Sequence, residues 1–447
     1  MDPRVAHLIA QHEDAERTRA RAIHRAWEVY EGARRREQDP HRDEDEIRLN
    51  LAGLIVDAGV DFLFGQDLTV DLDDDGETGE PEEWLAEAWG RRMMLTLQAA
   101  ATHGAVGGHA VMRIVPIDGA DPRTAPPRVL AIDPANYAAI WEPADLETLI
   151  AQVIRWQGID PNGRTVAHRQ VLEPVGTTWL ITEQESRDEH SGRWVTTGEI
   201  AWPHSWSPVL DTQNLPAPGR YYGRPDLTAD VLDTQDAVNA SLSRTSRKDR
   251  LQNKRILVAK GFNADESGLV DGDDLIELPD GESELTAVDA ATGQVRDSLE
   301  LYRTVKAALH EISRVPEIAA GRLDNVGQLS GLALQILYGP LIRKTETKRR
   351  TYGALVGEVS ARLLELGGYG LASDHHVALR WPAVLPTDDE SEARTAQMRQ
   401  DAGVSVGTTL AEMGYDPAAE AEARDEESLA ARERNERAFD RGLVDDA

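Results

Sequence analysis

The 447-residue chain contains no cysteine, which excludes disulfide staples, thiolate metal sites and a cysteine nucleophile together. Lysine is nearly as scarce: only six of the 48 basic side chains are Lys, at positions 248, 254, 260, 306, 344 and 348. Where arginine is the default cation, its abundance is poor evidence for phosphate recognition, but the confinement of every lysine to 248–348 is a feature in itself. No Gly-Lys dipeptide occurs, so the GxxxxGK[ST] phosphate loop is missing and ATP hydrolysis by that route is excluded. No window approaches about 18 uncharged apolar residues, and the opening MDPRVAHLIAQHEDAERTR has no apolar stretch before a cleavage site. Neither a membrane span nor a signal peptide is expected.

Catalytic and ligand patterns are missing too. His12-Glu13 lacks the second His of a HExxH motif, and the adjacent His375 and His376 would point to opposite faces of a strand. GxSxG is absent, and Ser330-Gly331 lacks the strand-turn-helix context of a nucleophile elbow. Gly104, Gly107 and Gly108 follow a helical segment and precede a strand, the reverse of the dinucleotide-binding order. Paired carboxylates are too common in so acidic a chain to single one out. No catalytic residue, cofactor or metal site is therefore expected.

What the chain does have is acid: 79 Asp and Glu against 48 basic residues, a formal charge of −31. Tight equilibrium binding of a polyanion needs a local cationic excess, so a conventional DNA-binding domain is disfavoured. The length predicts about three domains' worth of chain, enough to bury a sizeable core. Residues 1–38 read as a peripheral helix with Leu8, Ile23, Trp27 and Tyr30 at its apolar positions, followed by a second apolar helix over Ile47 to Phe64. An acidic solvated loop is expected from Asp71 to Glu83, then a helix from Glu82 to about Thr102. Between Ala110 and Trp202 the segments AVMRIVPI, RVLAID, LIAQVIRW, TVAHRQVL and TTWLITEQ predict an antiparallel β-rich domain. Six of the ten Trp residues fall at 141, 156, 179, 194, 202 and 206, where large core or interface anchors are expected.

From Pro225 the period turns helical, with Leu227, Val231, Val238 and Leu242 on one stripe of a long helix. Its far end carries Arg244, Arg247, Lys248, Arg250, Lys254 and Arg255. A compact β-like insert with turns at Gly261, DGDD and PDGE follows, then a returning helix with Leu301, Val305, Ala308, Leu309 and Ile312 on one face. A loop over 314–329 precedes a helix from Ser330 to about Leu366. Pro340 inside that helix removes a backbone donor and predicts a kink at Gly339 and Pro340. HHVALRWPAVLP reads as one strand, and the remainder as helical hairpins. From Glu412 onward it carries 12 acidic and 5 basic residues.

Three of these segments together resemble the portal proteins of tailed bacteriophages, especially the branch without extra enzymatic domains. They are YYGRPDLTADVLDTQDAVNASLSR (221–244), SGLALQILYGPLIRKTETKRRTYGALVGEVSARLL (330–364), and VALRWPAVLPTDDESEA with GVSVGTTLAEMGYDPAAEAEARDEE. The resemblance covers 221–427, while the first 220 residues fit by pattern only. It implies an α+β portal fold with a β-rich wing (1–224), stem helices (225–254 and 293–313) and a small α/β clip (255–292). A tunnel loop (314–329), a kinked channel helix returning to the wing (330–387) and a helical crown with acidic tail (388–447) complete it.

It further implies a ring of about twelve subunits at a capsid vertex, in the virion and, during assembly, in the host cytoplasm. The ring would conduct double-stranded DNA and dock terminase, head-tail adaptor and the major capsid or scaffolding protein, with no membrane partner. On this mapping Arg314, Arg322, Asn325 and Gln328 are expected nearest DNA. Arg244, Arg247, Lys248, Arg250 and Lys254 form a cationic belt or intersubunit ion pairs. Asp271, Asp273 and Asp274 at the clip tip dock a partner or form a solvated turn. Two rivals stay open: an acidic head-tail adaptor or scaffold-binding protein without a pore, and a hydrolase with a carboxylate pair on the β-rich domain.

Overall fold

In this computed structural model the described residues are 1–32, 47–72, 79–160, 162–187, 193–253, 257–260, 275–278, 292–317, 331–384, 396–412, 421 and 424. Two compact units, Met1–Val384 and Leu385–Ala447, make up the chain. Of the positions singled out in the sequence, Arg322, Asn325, Gln328, Lys254, Asp271, Asp273 and Asp274 lie outside the described residues.

Helix α1 (Pro3–Tyr30) starts where the Asp2 carboxylate accepts from the Arg4 amide at 2.7 Å, with proline in its first turn. Helix α2 (Leu51–Phe64) is shorter than the apolar run suggested, because residues 47–50 form an extended lead-in. It buries Ala52, Ile55, Val56, Gly59, Val60, Leu63 and Phe64, and so runs through the core. The acidic loop expected from Asp71 is narrower: Asp71 lies on β1 (Thr69–Leu72) and pairs with Arg380 at 2.8 Å. Glu80, Glu82 and Glu83 sit instead in the first turn of α3 (Glu80–Trp89), where acidic side chains complement the helix dipole. The single helix expected from Glu82 to Thr102 is broken, since Gly90 adopts φ 59° and a short 3-10 turn leads into α4 (Met93–Gly107).

Eight strands follow: β2 (His109–Val115), β3 (Arg128–Ile132), β4 (Tyr137–Glu142), β5 (Asp145–Ile159), β6 (Thr165–Val175), β7 (Thr178–Ser186), β8 (Val195–Trp202) and β9 (Val209–Gln213). β4 to β8 form an antiparallel meander, and β3-β2-β9 a separate antiparallel sheet. β4, β8 and β9 were not among the strands expected. Strands β4, β5 and β6 of the meander bury apolar side chains on both faces. Ala138, Ile140, Ala151, Val153 and Val171 pack with Val5 and Ile9 of α1, whereas Tyr137, Ala139, Ile154 and Leu172 join the main core. Successive side chains alternate faces, so burial on both sides erases the alternation that marks a half-exposed strand.

Helix α5 (Ala229–Asn253) and helix α6 (Thr292–Ser313) pack on each other and bracket β10 (Leu257–Lys260) and β11 (Leu275–Leu278), a parallel pair. Helix α7 (Gly331–Gly367) runs 37 residues, about 55 Å, with Pro340 inside it. The last strand, β12 (Val377–Arg380), covers only part of the segment expected and pairs antiparallel with β1. In the second unit, Gly403 at φ 94° ends one helical stretch. Ser405 then opens α8 (Val406–Glu412), its hydroxyl accepting from the Thr408 amide at 3.1 Å.

Candidate functional site

In the segment Tyr221 to Asp226 the two tyrosines and Asp226 turn inward, while Arg224 stays exposed. The Tyr221 hydroxyl donates to Asp211 at 2.6 Å, and the same carboxylate oxygen meets His109 Nε2 at 2.5 Å. The Tyr222 hydroxyl donates to Glu16 of α1 at 3.0 Å and accepts from the Ala139 amide at 2.9 Å. Arg19 stacks 3.9 Å above the Tyr222 ring. Burial raises both phenols well above the ordinary tyrosine range, so they act as donors. Gly223 and Gly108 cross so closely that a Cβ at either would come within 2.7 Å of the other's carbonyl oxygen. Asp226 follows, its amide donating to the Ala105 carbonyl at 2.7 Å. The glycines 104 and 108 thus serve a backbone crossing and not a nucleotide: a Cβ on Gly104 would lie 2.0 Å from the Tyr352 hydroxyl.

Asp226 is fully enclosed and holds two buried lysines from α7: Lys348 Nζ at 2.6 Å and Lys344 Nζ at 3.4 Å. Asn214 donates to Asp226 at 3.2 Å and accepts from the Tyr352 hydroxyl at 3.0 Å. Burial alone would push the Asp226 carboxyl up, but the two ammonium groups and these hydrogen bonds outweigh it and hold it below the usual range. Lys344 is shifted down by burial, and the like charges of Lys348 and Arg314 work in the same direction against the attraction of Asp226. With two cations against one anion, the remaining negative partner is backbone. Lys344 Nζ donates to the Ser313 carbonyl at 3.0 Å, at the C-terminus of α6 where the helix dipole favours a cation.

That contact belongs to a strapped turn. His310 Nδ1 donates to the Val315 carbonyl at 2.9 Å, the Ser313 hydroxyl donates to the His310 carbonyl at 3.2 Å, and Lys306 pairs with Glu317. The Val315 side chain is sunk in the main core. Arg314 is exposed and carries φ 60°, a left-handed backbone rare for a residue with a side chain.

A second set of polar contacts ties α5 to the front of the chain. Gln235, Asn239 and Ser243, spaced four apart on one helix face, bind the extended backbone before α2. The Leu49 carbonyl accepts from Gln235 at 2.6 Å, the Leu49 amide donates to Asn239 at 2.9 Å, and the Ile47 amide donates to Ser243 at 3.1 Å. Gln235 Oε1 also accepts from the Ala52 amide at 3.1 Å.

The match to known proteins covers the whole of this arrangement, because the family described as Phage portal protein, SPP1 Gp6-like, aligns with residues 6–434. The chain belongs to the phage portal proteins. Its place is the portal vertex of a capsid. No curated protein matches the chain.

Within this portal protein the residues singled out beforehand do not converge. Arg314 stands at the end of α6 beside the joint. Arg244 and Arg247 lie on the second half of α5, the backbones of Lys248 and Arg250 belong to the same helix, and Gly339 and Pro340 sit within α7. The helix continues through Pro340. The joint itself, Asp226, Lys344, Lys348, Asn214, Tyr352 and Ser313, was not read from the sequence. One signal pointed there. In a chain that uses arginine by default, lysines at 344 and 348, one helical turn apart, mark places where a compact ammonium fits and a planar guanidinium does not. Among the described residues no group of His, Asp and Glu has metal-site geometry, and no helix is long and apolar enough to cross a membrane.

Proposed function

We propose that copies of this portal protein form a closed ring that conducts double-stranded DNA into and out of the capsid and docks terminase and head-tail adaptors. The observation that carries the reading is the family match over 6–434, together with a helix pair, α5 and α6, that brackets a small β element. On this reading α5 and α6 are the stem, the β10-β11 segment is the clip, and the loop after α6 is the tunnel loop. α7 is the channel helix with a bend at Gly339 and Pro340. The sheet domain with α1 to α4 is the wing, and the second unit is the crown.

A channel that lets a phosphate chain pass needs weak, evenly spread contact, which a chain of net charge −31 supplies better than a basic one. The exposed cations Arg314, Arg244 and Arg247 are the described candidates for intermittent contact, with Arg322, Asn325, Gln328, Lys248, Arg250 and Lys254 beside them in the sequence. Asp271, Asp273 and Asp274 are the candidates for partner docking.

In the Trp-rich region Trp179, Trp202 and Trp206 are buried anchors, whereas Trp156 on β5 is 41% exposed and stacks on His168. The test is native mass measurement with electron microscopy. Twelve copies of the 49.2 kDa chain give about 590 kDa and a hollow centre by closed symmetry. A monomer, or a solid particle, overturns the reading.

A further inference from the structure

A triad of buried ions is a costly way to hold helices together, since well-packed apolar side chains of the same volume hold them at least as well. What the triad gives is position. Asp226 is fixed by its own amide on Ala105 and by Asn214, and among the described residues Lys348 meets that carboxylate alone. Lys344 bridges from the carboxylate to the Ser313 carbonyl, the last residue of α6. If the end of α6 moved away, Lys344 would be left as a dry cation sharing one carboxylate with Lys348, an arrangement strongly disfavoured in a buried site.

We propose that Lys344 is the positioning residue of the turn 314–317: through the Ser313 carbonyl it fixes the root of that turn against the core. His310, Val315 and the Lys306–Glu317 pair complete the strap, which holds the chain from Ser313 to Glu317. The consequence for DNA rests on the conduit reading, in which the loop after α6 lines the channel and starts from this fixed root. The contact itself does not depend on that reading.

Amide exchange of the 310–317 peptide and tryptic cleavage after Arg314 both report opening of the root, since the buried Val315 must leave the core before the bond fits a protease cleft. Lys344→Met is expected to speed both by about tenfold or more. Lys348→Met, which removes a cation that among the described residues touches Asp226 alone, is expected to change them by less than about threefold. Equal acceleration by both methionine variants, or no acceleration by Lys344→Met, overturns the assignment. Should Lys344→Met not fold, the wild type decides. Exchange of 310–317 as slow as that of the α7 core peptide 352–364 supports a fixed root, and exchange at the rate of exposed peptides overturns it. Native mass is recorded on the same samples. A monomer with a protected root sinks the ring and leaves Lys344's role standing, whereas a ring with a loose root does the opposite.

Discussion

Helix α7 inverts the usual rule on either side of Pro340. Before it, Ile336 is 70% and Leu337 45% exposed, while after it Lys344 and Lys348 are 4% and 2% exposed. Single exposed apolar residues are ordinary, and buried lysines are not. The downstream part is the hub of the subunit: Leu341, Tyr352, Leu355, Val356 and Val359 carry the core past the ion cluster. Upstream, Tyr338 stacks on Phe62 of α2 at 5.5 Å, while Ile336 and Leu337 stay exposed. The contrast teaches that one continuous helix serves two purposes, folding the subunit beyond the proline and presenting a surface before it.

The largest effect should come from the buried charges. Asp226→Ala leaves two lysines without their carboxylate and is expected to cost about 3–5 kcal/mol, read by urea unfolding. Replacing all three ions together, by Asp226→Leu, Lys344→Met and Lys348→Met, is expected to recover most of that loss. A triple variant as unstable as the single one would show that shape and not charge decides the joint. Gly104→Ala is expected to cost about 1–3 kcal/mol by overpacking, because its methyl group would land on the Tyr352 hydroxyl. Tyr352→Phe in the same chain should return part of it, and strict additivity of the two would refute the contact.

Acid should attack the same place. The Asp226 carboxyl titrates below its ordinary value in the folded chain, as does that of Glu365. At Glu365 burial works upward, but the Ala372 amide at 2.9 Å and His204 at 2.8 Å prevail. In the window between the folded and unfolded pKa values the unfolded chain binds more protons. The stability these groups give is therefore complete above about pH 4–4.5 and drains away as pH falls through the folded values. Asp226→Asn should lower stability at pH 7 and flatten the acid limb. A limb of unchanged slope in that variant would remove Asp226 from the account.

Much of this was legible in the sequence, and the misses have physical causes. The period of 3.6 gave α5, α6 and α7 nearly to their ends and α1 at its start, and the α+β class followed from the change of period at Ala110. β4 was missed because Tyr137–Glu142 is buried on both faces and shows no alternation. Gly90 was missed as a helix break because the apolar pattern continues through it. The joint was illegible for a different reason: Asp226, Ser313 and Lys344 are brought together from three separate elements, and no local pattern records that meeting. The scarcity of lysine was the one trace it left.

The smallest effect on the subunit should be the most informative about the ring. Ile336 and Leu337 make too little contact in one chain to matter to its folding, so Ile336→Ser with Leu337→Ser is expected to change subunit stability by less than about 0.5 kcal/mol. If the upstream end of α7 meets a second copy of the chain, the same pair removes buried apolar area at every contact around the ring. Native mass should then shift from the assembled particle towards monomer while urea unfolding of the subunit stays put. The two parts of α7 would be separated by one pair of measurements: taking Asp226 from the lysines after Pro340 destabilises the subunit, and apolar changes before Pro340 dissolve the assembly. A ring that survives the double serine variant would place its interface elsewhere and leave Ile336 and Leu337 as ordinary surface residues.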